Sequence, residues 1–294
     1  MILALFRRPK IEVKTPAQIH RMRAAGLVVG QTLQLAKSAA VAGATTGEVD
    51  AQAEAAIRAA GATPSFKGYY GFPGSLCISV NDEVVHGIPG EREFVDGDLV
   101  SIDCGAIVAG WHGDAALSFI VGGRDGPSTR AEDVALMDDT ESSLWAGIAA
   151  LIPGERLFAV GDAVEKSVMA AQHRRNDAGH EIEYGIVEDF TGHGIGTAMH
   201  MDPHIPNYAV EAKGPLVPVG ATVAIEPIVT LGTIDTKTLA DEWTVVSADG
   251  SRAAHWEHTV AVTEHGLWVL TALDGGQTEL EANGATYGPL TQPT

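Results

Sequence analysis

The 294-residue sequence has only two cysteines, few basic residues and no long apolar run. Cys77 and Cys104 are too few for a disulfide framework and are typical of a protein from a reducing compartment. No apolar run approaches the roughly 20 residues that a membrane span requires. We therefore expect a cytoplasmic protein without a membrane segment.

The shortage of basic residues limits the partners of the protein. Lys and Arg number 19 against 38 Asp and Glu, which gives a net charge of −19. This charge disfavours general binding to DNA or to anionic membranes and leaves open only a local basic patch. The apolar start, residues 1–6, is too short for a signal peptide, and its charges follow it rather than precede it.

Apolar periodicity, capping residues and glycines predict helices and antiparallel strands in each half of the chain. Helices are predicted from Thr15 to about Gly43, from Thr45 or Thr46 to Gly61, and over about 129–151 and 157–173. Strands are predicted at 76–80, 84–90, 99–108, 111–121, 222–229, 242–246, 256–263 and 267–270. This is an α+β arrangement. We expect an N-terminal extension at 1–14, one domain at 15–272 and a flexible tail at 273–294.

Two carboxylates lie within the apolar hairpin at 99–121. Asp103 follows Leu99, Val100 and Ile102, and Asp114 follows Trp111 after a turn near Ala109-Gly110. Facing Cβ atoms on paired strands are about 5 Å apart, so two buried carboxylates there would repel each other unless a cation lay between them. A lone Asp beside a glycine is more often a turn or strand-end residue. The choice between these interpretations depends on the rest of the chain.

Further polar residues lie in similar apolar or glycine-rich settings. They are His193 in a Gly-His-Gly-Ile-Gly segment, His200 seven residues later, Glu226 at the end of a strand, and Glu257 in a late strand. Four carboxylates and one imidazole are enough to hold two divalent ions, and oxygen-rich ligation favours manganese, iron, cobalt or zinc. Cys104 adjoins Asp103, but strand alternation directs it to the opposite face, so we assign it to the core.

These segments, together with Cys77 to Pro89, resemble in order the motifs of the type I methionine aminopeptidases. The resemblance runs from about residue 15 to residue 270 and rests on Ser101-Ile102-Asp103, His112-Gly113-Asp114, Gly192-His193-Gly194-Ile195-Gly196, Ile225-Glu226-Pro227 and Glu257-His258-Thr259. It implies the pita-bread fold, in which two pseudo-symmetric α+β halves surround a dinuclear metal site. Only 25 residues separate His200 from Glu226, too few for the helical insertion of the type II enzymes.

The resemblance also implies roles for individual residues. The implied metal ligands are Asp103, Asp114, His193, Glu226 and Glu257, and the implied catalytic residues are His86, His200 and Glu226. The implied lining of the methionine pocket is Tyr70, Phe72, Cys77, His86, Phe190, Met199, His200 and Trp243. Met199 stands where an aromatic residue is common in the family, and Phe72 and Phe190 stand where tyrosines are often found.

The activity implied is hydrolytic removal of the initiator methionine from nascent chains whose second residue is small. A water bridging two divalent ions (cobalt, manganese, iron, zinc or nickel) would attack the scissile carbonyl. We expect a monomer that acts on peptide N-termini, and docking on the ribosome is left open. The alternatives are an Xaa-Pro aminopeptidase or prolidase, which shares fold and ligands, and a non-catalytic binding protein of the same fold.

Overall fold

The computed structural model describes residues 11–291, so the predictions for residues 1–6 and for most of the 1–14 extension lie outside the described residues. Within that range the helices are α1 (Pro16–Ala39), α2 (Thr46–Ala59), α3 (Ala131–Ala149), α4 (Ala159–Asp177) and α5 (Gln277–Ala282). The strands are β1 (Thr63–Pro64), β2 (Leu76–Val80), β3 (Glu83–Val85), β4 (Leu99–Val108), β5 (Trp111–Ile120), β6 (Gly185–Ile186), β7 (Gly192–Gly194), β8 (Met201–Ile205), β9 (Thr222–Ile225), β10 (Ile228–Thr230), β11 (Thr236–Thr238), β12 (Val245–Ser247), β13 (Ala253–His255), β14 (Glu257–Thr263) and β15 (Gly266–Val269). None of these helices is long and apolar enough to cross a membrane.

Capping boxes confirm the predicted starts of the first two helices. The Thr15 hydroxyl accepts from the Gln18 N–H and the Gln18 side chain accepts from the Thr15 N–H. Thr45 and Glu48 exchange the same pair of bonds at α2. Each box satisfies two N–H groups that a helix start leaves without intrahelical partners. The first helix ends at Ala39, four residues earlier than the predicted end near Gly43.

The core of the fold is one curled antiparallel sheet. Its nine strands include the path β1-β4-β5-β14-β9-β7-β8, with β2 pairing β4 and β15 pairing β14. Two three-stranded sheets, β13-β10-β6 and β11-β12-β3, flank it. Buried residues of α1 and α2 pack with β2, β4 and β5. Buried residues of α3 and α4 pack with β9, β14 and β15, so each half has its own core and the α+β prediction is confirmed.

The predicted strand at 222–229 is interrupted. Strand β9 ends at Ile225 and β10 begins at Ile228, and the two strands belong to different sheets. Pro227 has no N–H to donate to a ladder, which accounts for the break after Glu226. Glu226 therefore lies outside both strands, at the point where the chain passes from one sheet to the other.

The C-terminal segment is not the loose tail that its composition suggests. Helix α5 buries Leu280 completely in the core of the second half. The Leu267 N–H donates to the Thr286 carbonyl at 2.8 Å, and the Thr263 hydroxyl donates to the Gly288 carbonyl at 2.6 Å. These bonds join the segment to the β14–β15 hairpin, so the prediction of a flexible tail from 273 onwards is corrected as far as residue 291.

Candidate metal centre and active site

The β4–β5 hairpin places Asp103 and Asp114 on one face of the sheet. Asp103 is opposite Ala116, and Asp114 is opposite Gly105. The two carboxylates are therefore diagonal neighbours rather than a directly facing pair. Cys104, one residue along, is fully buried on the other face in the core of the first half, as strand alternation predicts.

The second half brings its polar residues to the same face through the neighbouring strands. Glu257 at the start of β14 is opposite Ala116, so Asp103, Ala116 and Glu257 form one row across three strands. The small Ala116 side chain leaves the space between the two carboxylates open. His193 on β7 is opposite Ala224 of β9, whose neighbour β14 carries Glu257. The order of strands in the sheet therefore assembles a site from residues more than 150 positions apart in sequence.

Three of these side chains form a compact ligand group. Ligand atoms of Asp114, His193 and Glu257 all lie within 4.8 Å of one another, and all three residues are buried. The His193 Nε2 atom is 3.5 Å from Glu226 Oε1 and 4.0 Å from Glu257 Oε1. Asp103 and Glu226 line the same cavity.

The electrostatics of the site call for a cation. Burial raises the pKa of Asp103 to about 7. Burial, and then the neighbouring carboxylates, raise the pKa values of Asp114, Glu226 and Glu257 well above their ordinary ranges. The oxygens Asp103 Oδ1, Asp114 Oδ1 and Glu257 Oε1 are buried without a hydrogen-bond partner. Uncompensated carboxylates of this kind are stabilised when a metal ion binds them, so the residues present fit a divalent cation.

His193 has the protonation state that a metal ligand needs. Its Nδ1 atom lies 3.0 Å from the Gly194 carbonyl oxygen, which can only accept, so Nδ1 carries the proton. Burial lowers the pKa of His193 to about 3, which keeps the ring neutral. The Nε2 lone pair is therefore directed to the carboxylates of Glu226 and Glu257. A backbone carbonyl that orients a ligating imidazole in this way is common at metal sites.

A cavity of about 130 Å³ adjoins these groups. The sequence-predicted residues that line it are Asp103, Asp114, His193, Glu226, Glu257, Phe72, Cys77, His86, Phe190, Met199, His200 and Trp243. The buried cluster of Phe66, Phe72, Cys77 and Met199 forms its apolar wall. His86 has its ring edge against Phe190, with centroids 5.3 Å apart, and burial lowers its pKa to about 4.

Tyr70 is the predicted pocket residue that does not line the cavity. Its backbone has φ of +46°, and its side chain is 85% exposed. The preceding residue, Tyr69, lines the cavity instead, and its hydroxyl lies 3.0 Å from Nδ1 of His200. The assignment of Tyr70 is therefore corrected to Tyr69, because the left-handed backbone at Tyr70 turns its side chain out of the site.

Sequence reasoning also missed three other lining residues: Phe66, Val85 and His255. His255 precedes Glu257 by two positions, and alternation along an extended segment was a signal that could have placed both on one face. Phe66 lies in an irregular loop, where no periodicity indicates the direction of a side chain.

The chain contains a metallopeptidase domain, since the sequence pattern of Metallopeptidase family M24 matches residues 20–264. Methionine aminopeptidase 1 from Mycobacterium tuberculosis is 49% identical over 265 residues, which cover 90% of this chain and 96% of the relative. The crystal structure of methionine aminopeptidase from Thermotoga maritima superimposes on this chain with a TM-score of 0.81 at 36% identity. The superposition covers 89% of this chain and 99% of the Thermotoga maritima chain. This chain belongs to the methionine aminopeptidase family.

The prolidase from Pyrococcus furiosus is a more distant neighbour. It has a TM-score of 0.63 at 20% identity, covering 88% of this chain and 65% of the prolidase. At that identity the likeness concerns the pita-bread fold alone, which the two groups of proteins share. The predicted fold class is confirmed by both neighbours.

Proposed function

We propose that this chain removes the N-terminal methionine from polypeptides whose second residue is small, with two divalent metal ions held by Asp103, Asp114, His193, Glu226 and Glu257. The observation that carries the proposal is the meeting of this acidic group with a small apolar cavity. The cavity is far smaller than the 300–1,000 Å³ typical of sites for drug-sized ligands, and it suits a single side chain beside the acidic group. When bound, the divalent ions supply Lewis-acid polarisation of a carbonyl and activation of water near neutral pH.

The apolar wall accounts for selection of the first residue. Phe66, Phe72, Cys77 and Met199 present carbon and sulfur atoms to the cavity, and they offer no charge that could pair with a Lys or Glu side chain. Burial of an unpaired charge there would cost several kcal/mol. A thioether side chain fits this lining, since sulfur contacts aromatic rings favourably.

Glu226 is positioned to move a proton. Burial and the nearby Asp103 raise the pKa of the Glu226 carboxyl in the absence of a metal ion. Its Oε1 atom lies 3.5 Å from His193 Nε2, and Glu226 lines the cavity together with the other acidic residues. In the proposed reaction Glu226 accepts the proton of the attacking water and transfers it to the leaving amine.

His200 is positioned to stabilise charge on the substrate oxygen. Its ring lies edge-on to His193 with centroids 4.5 Å apart, and it lines the cavity beside the acidic group. A hydrogen-bond donor aimed at developing negative charge is typically worth about 10²–10³ in rate. His200→Ala should therefore retain its metal and its KM and lose kcat by about that factor. Loss of metal in proportion to activity would make His200 a ligand instead.

The experiment that tests the function is a substrate panel with metal-stripped protein reconstituted ion by ion. Met-Ala peptides should be cleaved after reconstitution, whereas Met-Leu and Lys-Ala peptides should be cleaved poorly or not at all. Preferential cleavage of Xaa-Pro peptides would favour a prolidase, and absence of divalent binding would favour a non-catalytic protein. Metal analysis of the active species gives the number of ions per chain.

The cellular setting belongs to the same proposal. We infer a cytoplasmic monomer that acts on nascent chains, in accord with the two cysteines and the net charge of −19. Light scattering at working concentration measures the oligomeric state. Co-sedimentation with ribosomes over a range of salt concentrations tests docking, which should weaken as salt rises if a local basic patch is responsible.

A further inference from the structure

Tyr69 lies against the imidazole of His200 at the rim of the cavity. Its hydroxyl oxygen is 3.0 Å from His200 Nδ1, and the two ring centroids are 5.7 Å apart. The tyrosine is held by a short turn, in which the Tyr69 N–H donates to Phe66 and the Tyr69 carbonyl accepts from Phe72. Phe66 and Phe72 are both buried in the wall of the cavity. The position of the hydroxyl is therefore set by the same residues that form the pocket.

The direction of this contact decides which nitrogen of neutral His200 carries the proton. Among residues 11–291, His200 Nδ1 is the one hydrogen-bond partner of the Tyr69 hydroxyl, and no other protein group pairs with the His200 ring. If Nδ1 carried a proton and donated, the phenolic proton would have no protein acceptor among these residues, and if the phenol donates, the Nε2 proton of His200 has none and stays free for a substrate. If the phenol donates, the contact uses the phenolic proton and the Nδ1 lone pair together. Burial raises the pKa of Tyr69, so the phenol holds its proton at neutral pH.

The neighbouring imidazole is held in the opposite tautomer. His193 donates from Nδ1 to the Gly194 carbonyl, which leaves its Nε2 lone pair exposed to the acidic group. When the Tyr69 phenol donates to Nδ1 of neutral His200, the proton of His200 lies on Nε2. The ring centroids of His193 and His200 are 4.5 Å apart. In these tautomers His193 offers an electron pair at Nε2, whereas His200 offers a hydrogen-bond donor at Nε2, and the difference comes from the partner of each Nδ1 atom.

We infer that Tyr69 is a positioning residue that holds neutral His200 in the tautomer with its proton on Nε2 and so supplies the hydrogen-bond donor for the substrate carbonyl. The inference takes from the proposed function only that the hydrogen-bond acceptor is the carbonyl of a methionine peptide. It does not rest on the proposed function for the test of the tautomer of His200, which can be measured in the absence of substrate. Hydrogen bonds that orient the ligands of a metal are typically worth about 10–100-fold in activity, and we expect the lower end of that range for a bond that orients His200.

The first test compares Tyr69→Phe with Tyr70→Phe. Tyr69→Phe retains the ring and removes only the hydroxyl, so we expect kcat on a Met-Ala peptide to fall about 10-fold while KM and metal content stay unchanged. Tyr70→Phe is the matched control, because the Tyr70 side chain is exposed and does not line the cavity. A change confined to KM would assign Tyr69 to the pocket wall and overturn the inference.

The second test is a double-mutant cycle. In the His200→Ala background, Tyr69→Phe should have no further effect on kcat, since its target is absent. An equal 10-fold loss with and without His200 would show that Tyr69 acts independently and would overturn the inference. The stability of each variant, measured by thermal unfolding, shows whether any loss comes from misfolding.

The third test reads the tautomer directly and needs no activity. In zinc-loaded, ¹⁵N-histidine-labelled protein, two-bond ¹⁵N–¹H correlation spectra distinguish a protonated ring nitrogen from an unprotonated one. His200 signals are assigned by their loss in His200→Gln. We expect protonated Nε2 in the wild-type protein and a mixture of tautomers in Tyr69→Phe. A protonated Nδ1 in the wild type overturns the inference, whereas failure to cleave methionine peptides would overturn the proposed function alone.

Discussion

The two halves of the molecule contribute to the site in different ways. The first half supplies Asp103 and Asp114 from one hairpin, whose two ten-residue strands pair without a register shift. The second half supplies His193, Glu226 and Glu257 from β7, from the break between β9 and β10, and from β14. The first pair is placed by local pairing, and the second set is placed by the order in which distant strands assemble.

Within the large sheet, the pairing that joins the two halves is short and is reinforced by a threonine. Strand β14 pairs with β5 through only two residue pairs, Glu257 with Ala116 and His258 with Ala115. Beside them the Thr259 hydroxyl accepts from the Asp114 N–H at 3.0 Å and donates to the Asp114 carbonyl at 2.8 Å. This double contact holds a ligand of the first half next to a ligand of the second. Both halves are therefore expected to be needed for metal binding, and Thr259 is expected to couple them.

The largest effect is expected from removal of one carboxylate in either half. Asp103→Asn and Glu257→Gln should each lose most bound metal and at least about 100-fold in activity, because an amide is a poorer ligand for a hard cation. Metal-stripped forms of both variants should unfold at the same temperature as the stripped wild type or above it, since a buried charge has been removed. Metal analysis and calorimetry measure these effects, and a variant that keeps wild-type metal content would exclude its residue as a ligand.

The junction is tested by Thr259→Val. The substitution leaves the buried Asp114 N–H and carbonyl without their partner, so we expect a loss of about 2 kcal/mol in stability and about 10-fold in metal affinity. Thr263→Val is the matched control, because its hydroxyl bonds lie at the far end of β14. Thr263→Val should lose stability without losing metal affinity. Equal metal affinity in both variants would contradict coupling through Thr259.

A smaller effect concerns pH. The folded-state pKa of Asp103 is about 7 against an ordinary 3.8, so its protonated form contributes stability below about pH 4 that is lost as the pH rises to 7. The stripped wild type should therefore lose stability relative to stripped Asp103→Asn between pH 4 and 7, and bound metal should reverse the trend. Thermal unfolding across this range measures the difference, and a constant difference between the two proteins would contradict the shifted pKa.

The smallest effect is expected in the pocket loop of the first half. Tyr70→Ala should change kcat/KM on methionine peptides less than about two-fold, because surface substitutions away from a site usually have little effect. Phe72→Ala is the comparison, since Phe72 is buried against Trp243 with ring centroids 5.1 Å apart. It should raise KM strongly through loss of the apolar wall. A comparable KM increase in Tyr70→Ala would return Tyr70 to the pocket.

Prediction from sequence succeeded where the signal was local or where an ordered set of motifs was present. Each of the capping boxes that begin at Thr15 and Thr45 involves only four consecutive residues. Strand alternation correctly placed Asp103 and Cys104 on opposite faces of the sheet. The motif order predicted the family and fold. Prediction from sequence failed at Tyr70, because the positive φ of this residue turns its side chain away from the cavity. It also failed at the C-terminal segment, because the burial of Leu280 depends on a surface formed by distant strands.

The sequence by itself determined the helix starts, the alternating faces of the β4–β5 hairpin and the identity of the chemically active side chains, because these depend on neighbours within a few residues or on residue type. Only the tertiary structure decided that Glu257 joins Asp103 across Ala116, that Thr259 links the halves, and that Tyr69 rather than Tyr70 meets His200. These contacts join residues from 131 to 154 positions apart. Strand order and backbone handedness bring them together, and neither is set by any local pattern.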